Sequence, residues 1–140
     1  MKLKKIAIAV LAAMTMATGA MGITASANNS SDTSFTNYTI SRWSNYTSVR
    51  SKTDTTSATV KVSSTNPSGS KMTVRVYNGS KVDRTYGAAK IVGASSYYTY
   101  LPNTVYESGD RSACLGFTIY STSTGADTFK ATGVWSPDSV

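Results

Sequence analysis

The chain of 140 residues has no histidine, one cysteine, three prolines and only seven acidic residues. Each shortage removes a class of chemistry. Without histidine there is no Ser-His-Asp or Cys-His nucleophile and no usual zinc ligand set. With Cys114 alone there is no intrachain disulfide, so a small domain has to rest on its hydrophobic core. Cys114 lies in an alternating apolar stretch and is expected to be a small buried hydrophobe rather than a reactive thiol. The acidic residues are scattered. Glu107 and Asp110 come nearest to a carboxylate pair for glycoside hydrolysis or an oxygen set for calcium. Gly109 and Arg111 beside them make a polar turn the simpler explanation. No metal and no cofactor is implied.

The one long apolar run is at the N-terminus. Lys2, Lys4 and Lys5 precede an apolar stretch over residues 6–13, and Ala25-Ser26-Ala27 fits a small-x-small cleavage site. Residues 1–27 therefore read as a secretory signal peptide, too short and too interrupted by Thr15, Thr18, Gly19 and Gly22 for a stable membrane span. Residues 28–34 read as a flexible tail and residues 35–140 as a single β domain. No transmembrane segment is expected in the mature chain. The expected location is extracellular, either released or held non-covalently at the cell wall.

What is abundant points to strands. Thirty-nine of residues 28–140 are Ser or Thr, the chain holds nine Tyr, and β-branched residues are common. Ala58, Val60 and Val62 alternate with polar residues, as do Met72, Val74 and Val76. Asn66-Pro67-Ser68-Gly69 and Asn78-Gly79 are turn signals between and after them, which predicts a three-strand meander. A two-residue Asn-Gly loop would set Lys81 and Asp83 against the apolar face, so a three-residue loop with a bulge is preferred. Further strands are expected around 88–92, 96–101, 104–107, 113–120 and 127–135. Seven or eight short strands predict an all-β fold, an antiparallel sandwich or a small barrel.

Aromatic and basic residues are the candidates for ligand contact. Tyr97, Tyr98 and Tyr100 cluster, with Tyr98 and Tyr100 on one face of a strand, and Trp43 and Trp135 lie near the two ends of the mature chain. Such rings on a rigid sheet form stacking platforms for sugars or a protein partner. In the expected meander Lys61 and Arg75 both project away from the core and offer a cationic face. Eleven basic against seven acidic residues follow position 27. That excess is mild, and no nucleic-acid motif accompanies it.

The last residues, Gly133-Val134-Trp135-Ser136-Pro137-Asp138-Ser139-Val140, are the most distinctive string. Here, and in the export signal and the Val105-Tyr106-Glu107 segment, the chain resembles a family of small secreted Gram-positive proteins of unknown function that end in a Gly-x-Trp-Ser-Pro-Asp-Ser-like sequence. The resemblance implies a Gram-positive source and a β-rich exported domain. It carries no catalytic residues. The expected function is a secreted, non-catalytic β-sandwich that binds a cell-wall polymer or glycan. Two alternatives are a bacteriocin-like antagonist and a small hydrolase using Asp83, Glu107 or Asp110.

Overall fold

Successive side chains of a strand point to opposite sides, so each alternating segment has one apolar face that must be covered. The computed structural model describes residues 29–140 and shows how the faces are paired. The expected signal peptide lies outside the described residues. Among the described residues nine strands occur in the order β1 (Thr33–Ser41), β2 (Asn45–Tyr46), β3 (Arg50–Ser51), β4 (Ala58–Asn66), β5 (Lys71–Asn78), β6 (Lys90–Val92), β7 (Thr99–Leu101), β8 (Ser112–Ser121) and β9 (Thr128–Ser136). One sheet has the order β1-β9-β4-β7. The other has β2-β8-β5-β6, with β3 also pairing with β8. Every pairing is antiparallel. The two open sheets form a sandwich, not a closed barrel.

The core lies between them. Ala58, Val60, Val62, Phe129, Ala131 and Trp135 of the first sheet meet Met72, Val74, Val76, Leu115 and Phe117 of the second. Burying one such Val, Leu, Phe or Met side chain contributes about 1.5–3 kcal/mol, which is how the fold stands without a disulfide. Phe35 of β1 packs against Phe117 at 5.3 Å between centroids, and Tyr38 meets Phe117 edge-on at 5.8 Å.

The expected meander does not form. β4 and β5 belong to different sheets, and residues 66–69 carry the chain across the sandwich rather than into a hairpin. Alternation says which side of a strand faces the core. It does not say whether two consecutive strands lie side by side or face each other across that core. The hairpin after β5 does form with a three-residue loop. Tyr77 bridges Asp83, the Asn78 amide donates to the Val82 carbonyl, and Lys81 has φ of 66°. Asn78 Oδ1 fixes the turn by accepting from the amides of Ser80 and Val82.

Two further expectations change. The segment 104–107 is no strand. Val105 is buried and opens a turn in which Ser108 N donates to Thr104 O and Asp110 N to Val105 O. Residues 29–34, read as a tail, are engaged: Thr33 and Ser34 pair with Trp135 and Val134, and Asn29 N donates to the Asp138 carboxylate at 3.0 Å.

Candidate functional site

The most developed surface site sits at the edge of the first sheet. β7 pairs with β4 so that Leu101 faces Ala58 and Tyr100 faces Thr59. The alternation buries Leu101 and turns Tyr100 outward, 56% exposed. Tyr98, two residues earlier, is on the same side and 39% exposed. Lys61, two residues on from Thr59, also points outward and holds its ammonium 4.6 Å from the centre of the Tyr98 ring. The Tyr98 hydroxyl donates to the Asp32 carboxylate, and that bond pushes the phenol's pKa up. Tyr98 is thus fixed at both ring and hydroxyl before any ligand arrives. Tyr98, Tyr100, Thr59, Ser30, Asp32 and residues 138–140 line a hollow of about 190 Å³. Pockets for drug-sized ligands run to roughly 300–1,000 Å³, so this hollow suits one ring of a longer ligand.

The other expected contact residues do not join it. Tyr97 is 80% exposed but lines a separate hollow of about 260 Å³ with Lys71 and Ile91, between β6 and the start of β7. Trp43 is 83% exposed on the turn between β1 and β2, beside the Arg42–Asp127 ion pair at 2.7 Å. Trp135 is 1% exposed. It points inward with Phe129 and Ala131 of β9, and the Arg50 guanidinium stacks 5.6 Å from its ring, so it is a core residue and offers no ligand surface.

The expected cationic face is also dispersed. Because β4 and β5 lie in opposite sheets, Lys61 and Arg75 point away from opposite sides of the sandwich. Arg75 is paired with Asp83 at 2.9 Å. Arg84 is paired with Asp110 at 2.9 Å. Arg50 donates to Ser31 O, Asn29 Oδ1 and Trp135 O.

Those pairings occupy Asp83 and Asp110, and Arg42 occupies Asp127. Hydrogen bonds from Arg84 and then Asn78 hold the Asp110 carboxyl below the ordinary Asp range. Burial pushes the Asp83 carboxyl up, but hydrogen bonds from Thr85 and the Arg75 charge outweigh it and the net direction is down. A glycosidase general acid needs a shift the other way. Glu107 lies apart, in a hollow with Tyr86 and Pro102. Among the described residues no three His, Cys, Asp or Glu side chains gather as a metal site. Cys114 is buried, with Lys81 Nζ 3.3 Å and Asn78 O 3.6 Å from its sulfur.

One constellation is absent from the sequence reading. Lys52 and Asp138 are both fully buried, with Lys52 Nζ 2.6 Å from Asp138 Oδ1. Lys52 Nζ also donates to Thr56 O at 2.5 Å and lies 3.8 Å from an Asp54 carboxylate oxygen. Asp138 Oδ2 accepts from Thr53 N at 3.1 Å, Thr53 Oγ1 at 2.7 Å and Asn29 N at 3.0 Å. Ser136 Oγ donates to Asn29 O and Asp138 O. The only sequence sign is Asp138 itself, three residues past Trp135 in the end motif. Nothing nearby marks Lys52, 86 positions earlier, as its partner.

These features define a small antiparallel β-sandwich with an aromatic hollow on one outer face and a buried ion pair that ties the segment between β3 and β4 to the residues after β9. Residues 23–139 match the family described as Protein of unknown function (DUF2712), and the chain belongs to that family. No curated protein and no solved structure matches it.

Proposed function

We propose that the protein is exported, is non-catalytic, and binds a polysaccharide of a Gram-positive cell envelope by stacking sugar rings on Tyr100 and Tyr98. The observation that carries this reading is the hollow itself: two exposed tyrosines side by side, one held by Lys61 and Asp32. A preset ring loses little entropy on binding, and its face covers the apolar side of a sugar. The Ser30 and Thr59 hydroxyls and the Asp32 carboxylate supply hydrogen-bonding partners at the rim. Asp32 also argues for neutral sugar hydroxyls over phosphate, because an anionic polymer would be repelled at the rim. Lys61 and Arg75 lie on opposite faces, and Arg75 and Arg84 are each paired with a carboxylate, which favours binding that resists salt. The export signal over residues 1–27 supports the extracellular setting.

The test is co-sedimentation of the mature protein with Gram-positive cell walls, before and after teichoic acid removal, at low and high salt. The expected result is sedimentation that survives both treatments, with Tyr100→Ala weakening it at least about tenfold, roughly 1.4 kcal/mol. Arg75→Ala, on the opposite face, leaves it unchanged. Absence of sedimentation, or sedimentation abolished by salt and indifferent to Tyr100→Ala, overturns the proposal.

A further inference from the structure

We propose that Lys52 and Asp138 form an autocatalytic cross-linking site, at which an amide bond joins Lys52 Nζ to Asp138 Cγ. Four observations lead there, and none of them requires that Tyr98 or Tyr100 bind a ligand.

The first is proximity in a dry place. Both side chains are fully buried, and Nζ stands 2.6 Å from Oδ1. An amine at that distance from a carboxyl oxygen is about 3 to 3.5 Å from the carbon behind it, the separation of a near-attack conformer. The second is the division of labour between the carboxyl oxygens. Oδ1 faces the amine. Oδ2 faces three donors, Thr53 N, Thr53 Oγ1 and Asn29 N. Three donors converging on one oxygen are the arrangement that stabilises an oxyanion in acyl transfer. The third is a spare carboxylate. Asp54 lies 3.8 Å from the same Nζ and is held by Thr56 N at 2.8 Å, so a base stands next to the attacking nitrogen. The fourth is energetic. A buried ion pair is an expensive way to join two segments, and condensation removes both charges from the interior.

The step balances without any outside reagent. The Lys52 ammonium passes one proton to Asp138 Oδ1, leaving a neutral amine and a neutral carboxylic acid. The nitrogen lone pair attacks Cγ, and the electron pair of the Cγ–Oδ2 double bond moves onto Oδ2, where the three donors receive it. Asp54 takes a second proton from nitrogen. The pair on Oδ2 reforms the double bond, the Cγ–Oδ1 bond breaks, and the departing hydroxide takes the proton from Asp54 and leaves as water. The net change is one ammonium and one carboxylate converted to one amide and one water. Effective molarities of about 10⁵–10⁸ M for oriented groups are what let an amide form in a protein dissolved in water. The donors on Oδ2 also favour the ionised carboxylate, so the first proton transfer is a fast but unfavourable pre-equilibrium, and the later steps that use Asp54 set the rate. The reaction is a single maturation event that follows folding, because Lys52 and Asp138 meet only in the folded sandwich.

The experiment is intact mass measurement of the secreted mature protein under denaturing conditions, followed by tryptic mapping. The expected mass is one water below the sequence. Trypsin fails to cut after Lys52, and a branched peptide joins the Lys52 segment to the fragment beginning at residue 131. Lys52→Arg keeps the charge but leaves the chain at full mass. Asp138→Asn, if it reacts, loses ammonia instead of water. Asp54→Asn slows the mass loss at least about hundredfold. A wild-type chain that stays at full sequence mass after prolonged incubation overturns the proposal. So does a chain one water lighter in which Lys52 is still cleaved and Lys52→Arg is equally light, since that is a cyclic imide elsewhere.

Discussion

Gly133→Ala should destabilise the protein by about 2 kcal/mol, and the reason is backbone rather than side chain. Gly133 sits in β9 between Phe35 of β1 and Val62 of β4. A Cβ there would lie 2.3 Å from the Lys61 carbonyl oxygen, 2.7 Å from Phe35 Cζ and 3.0 Å from Val62 Cα. An ordinary carbon–oxygen contact is about 3.3 Å or more, so β4 and β9 would have to part by about 1 Å at their centre. Overpacking of this kind costs about 1–3 kcal/mol. Alanine's stiffer unfolded chain returns about 0.4–1 kcal/mol. The obstacle is a backbone carbonyl within a sheet strand, so the upper part of the range applies and the net is about 2 kcal/mol. Both neighbouring strands already bulge beside this residue, between Phe35 and Tyr38 and between Val62 and Ser64, so the sheet bends where the glycine lies. The assay is urea unfolding, read as a lower midpoint at constant slope. Phe35→Leu in the same chain should recover less than half of the loss, because the ring can yield and the carbonyl cannot. Gly125→Ala is the control: nothing lies within 4 Å, φ is +72°, and strain alone costs about 1 kcal/mol. Full recovery by Phe35→Leu, or a Gly133→Ala midpoint equal to wild type, would refute the reasoning.

Two further outcomes follow from the same geometry. Asp83 and Asp110 both have carboxyls held below the ordinary Asp value, so each contributes stability that is complete above about pH 3.9 and is lost as pH falls through the lower folded value. NMR titration should place both below the unfolded reference, and Arg84→Met should return Asp110 towards it; an unmoved Asp110 would contradict the assignment of cause. Fluorescence should separate the tryptophans: Trp43→Phe leaves blue-shifted emission that acrylamide barely reaches, and Trp135→Phe leaves red-shifted emission that it quenches freely. Ready quenching of the Trp43→Phe protein would mean that Trp135 is not in the core.

Strand identity was legible in the chain because alternation is a local property. Val60/Val62, Met72/Val74/Val76 and Leu115/Phe117 all face inward as their spacing says. The odd hairpin loop was legible too, since an even one would have turned Asp83 and Lys81 towards the apolar face. Sheet membership was not. β4 and β5 both bury alternating valines, and the same pattern serves two neighbours in one sheet or two strands across a core. That ambiguity also misplaced Lys61 and Arg75 on one surface. Trp135 followed the inward register of β9, although a large aromatic near one end of the mature chain also fits a contact residue. The pairing of Tyr98 with Tyr100 could be read from a spacing of two. The fixing of Tyr98 by Asp32 could not, because that contact joins residues 66 apart. Lys52 and Asp138 were invisible for the same reason.

The sandwich also has a defence against its own kind. A sheet edge offers unpaired amides and carbonyls to any other strand. Among the described residues every edge is short or broken. β6 and β7 have three residues each, and Pro102 follows β7 directly. β2 and β3 have two residues each. β1 is the one long edge, and it is interrupted where Asn37 takes φ of 48° and its amide turns to the Thr132 hydroxyl. A second molecule laying a strand along β1 would lose register at that point. The irregularity that weakens one internal ladder thus keeps separate molecules from joining theirs, and it favours a protein that stays dispersed at high concentration.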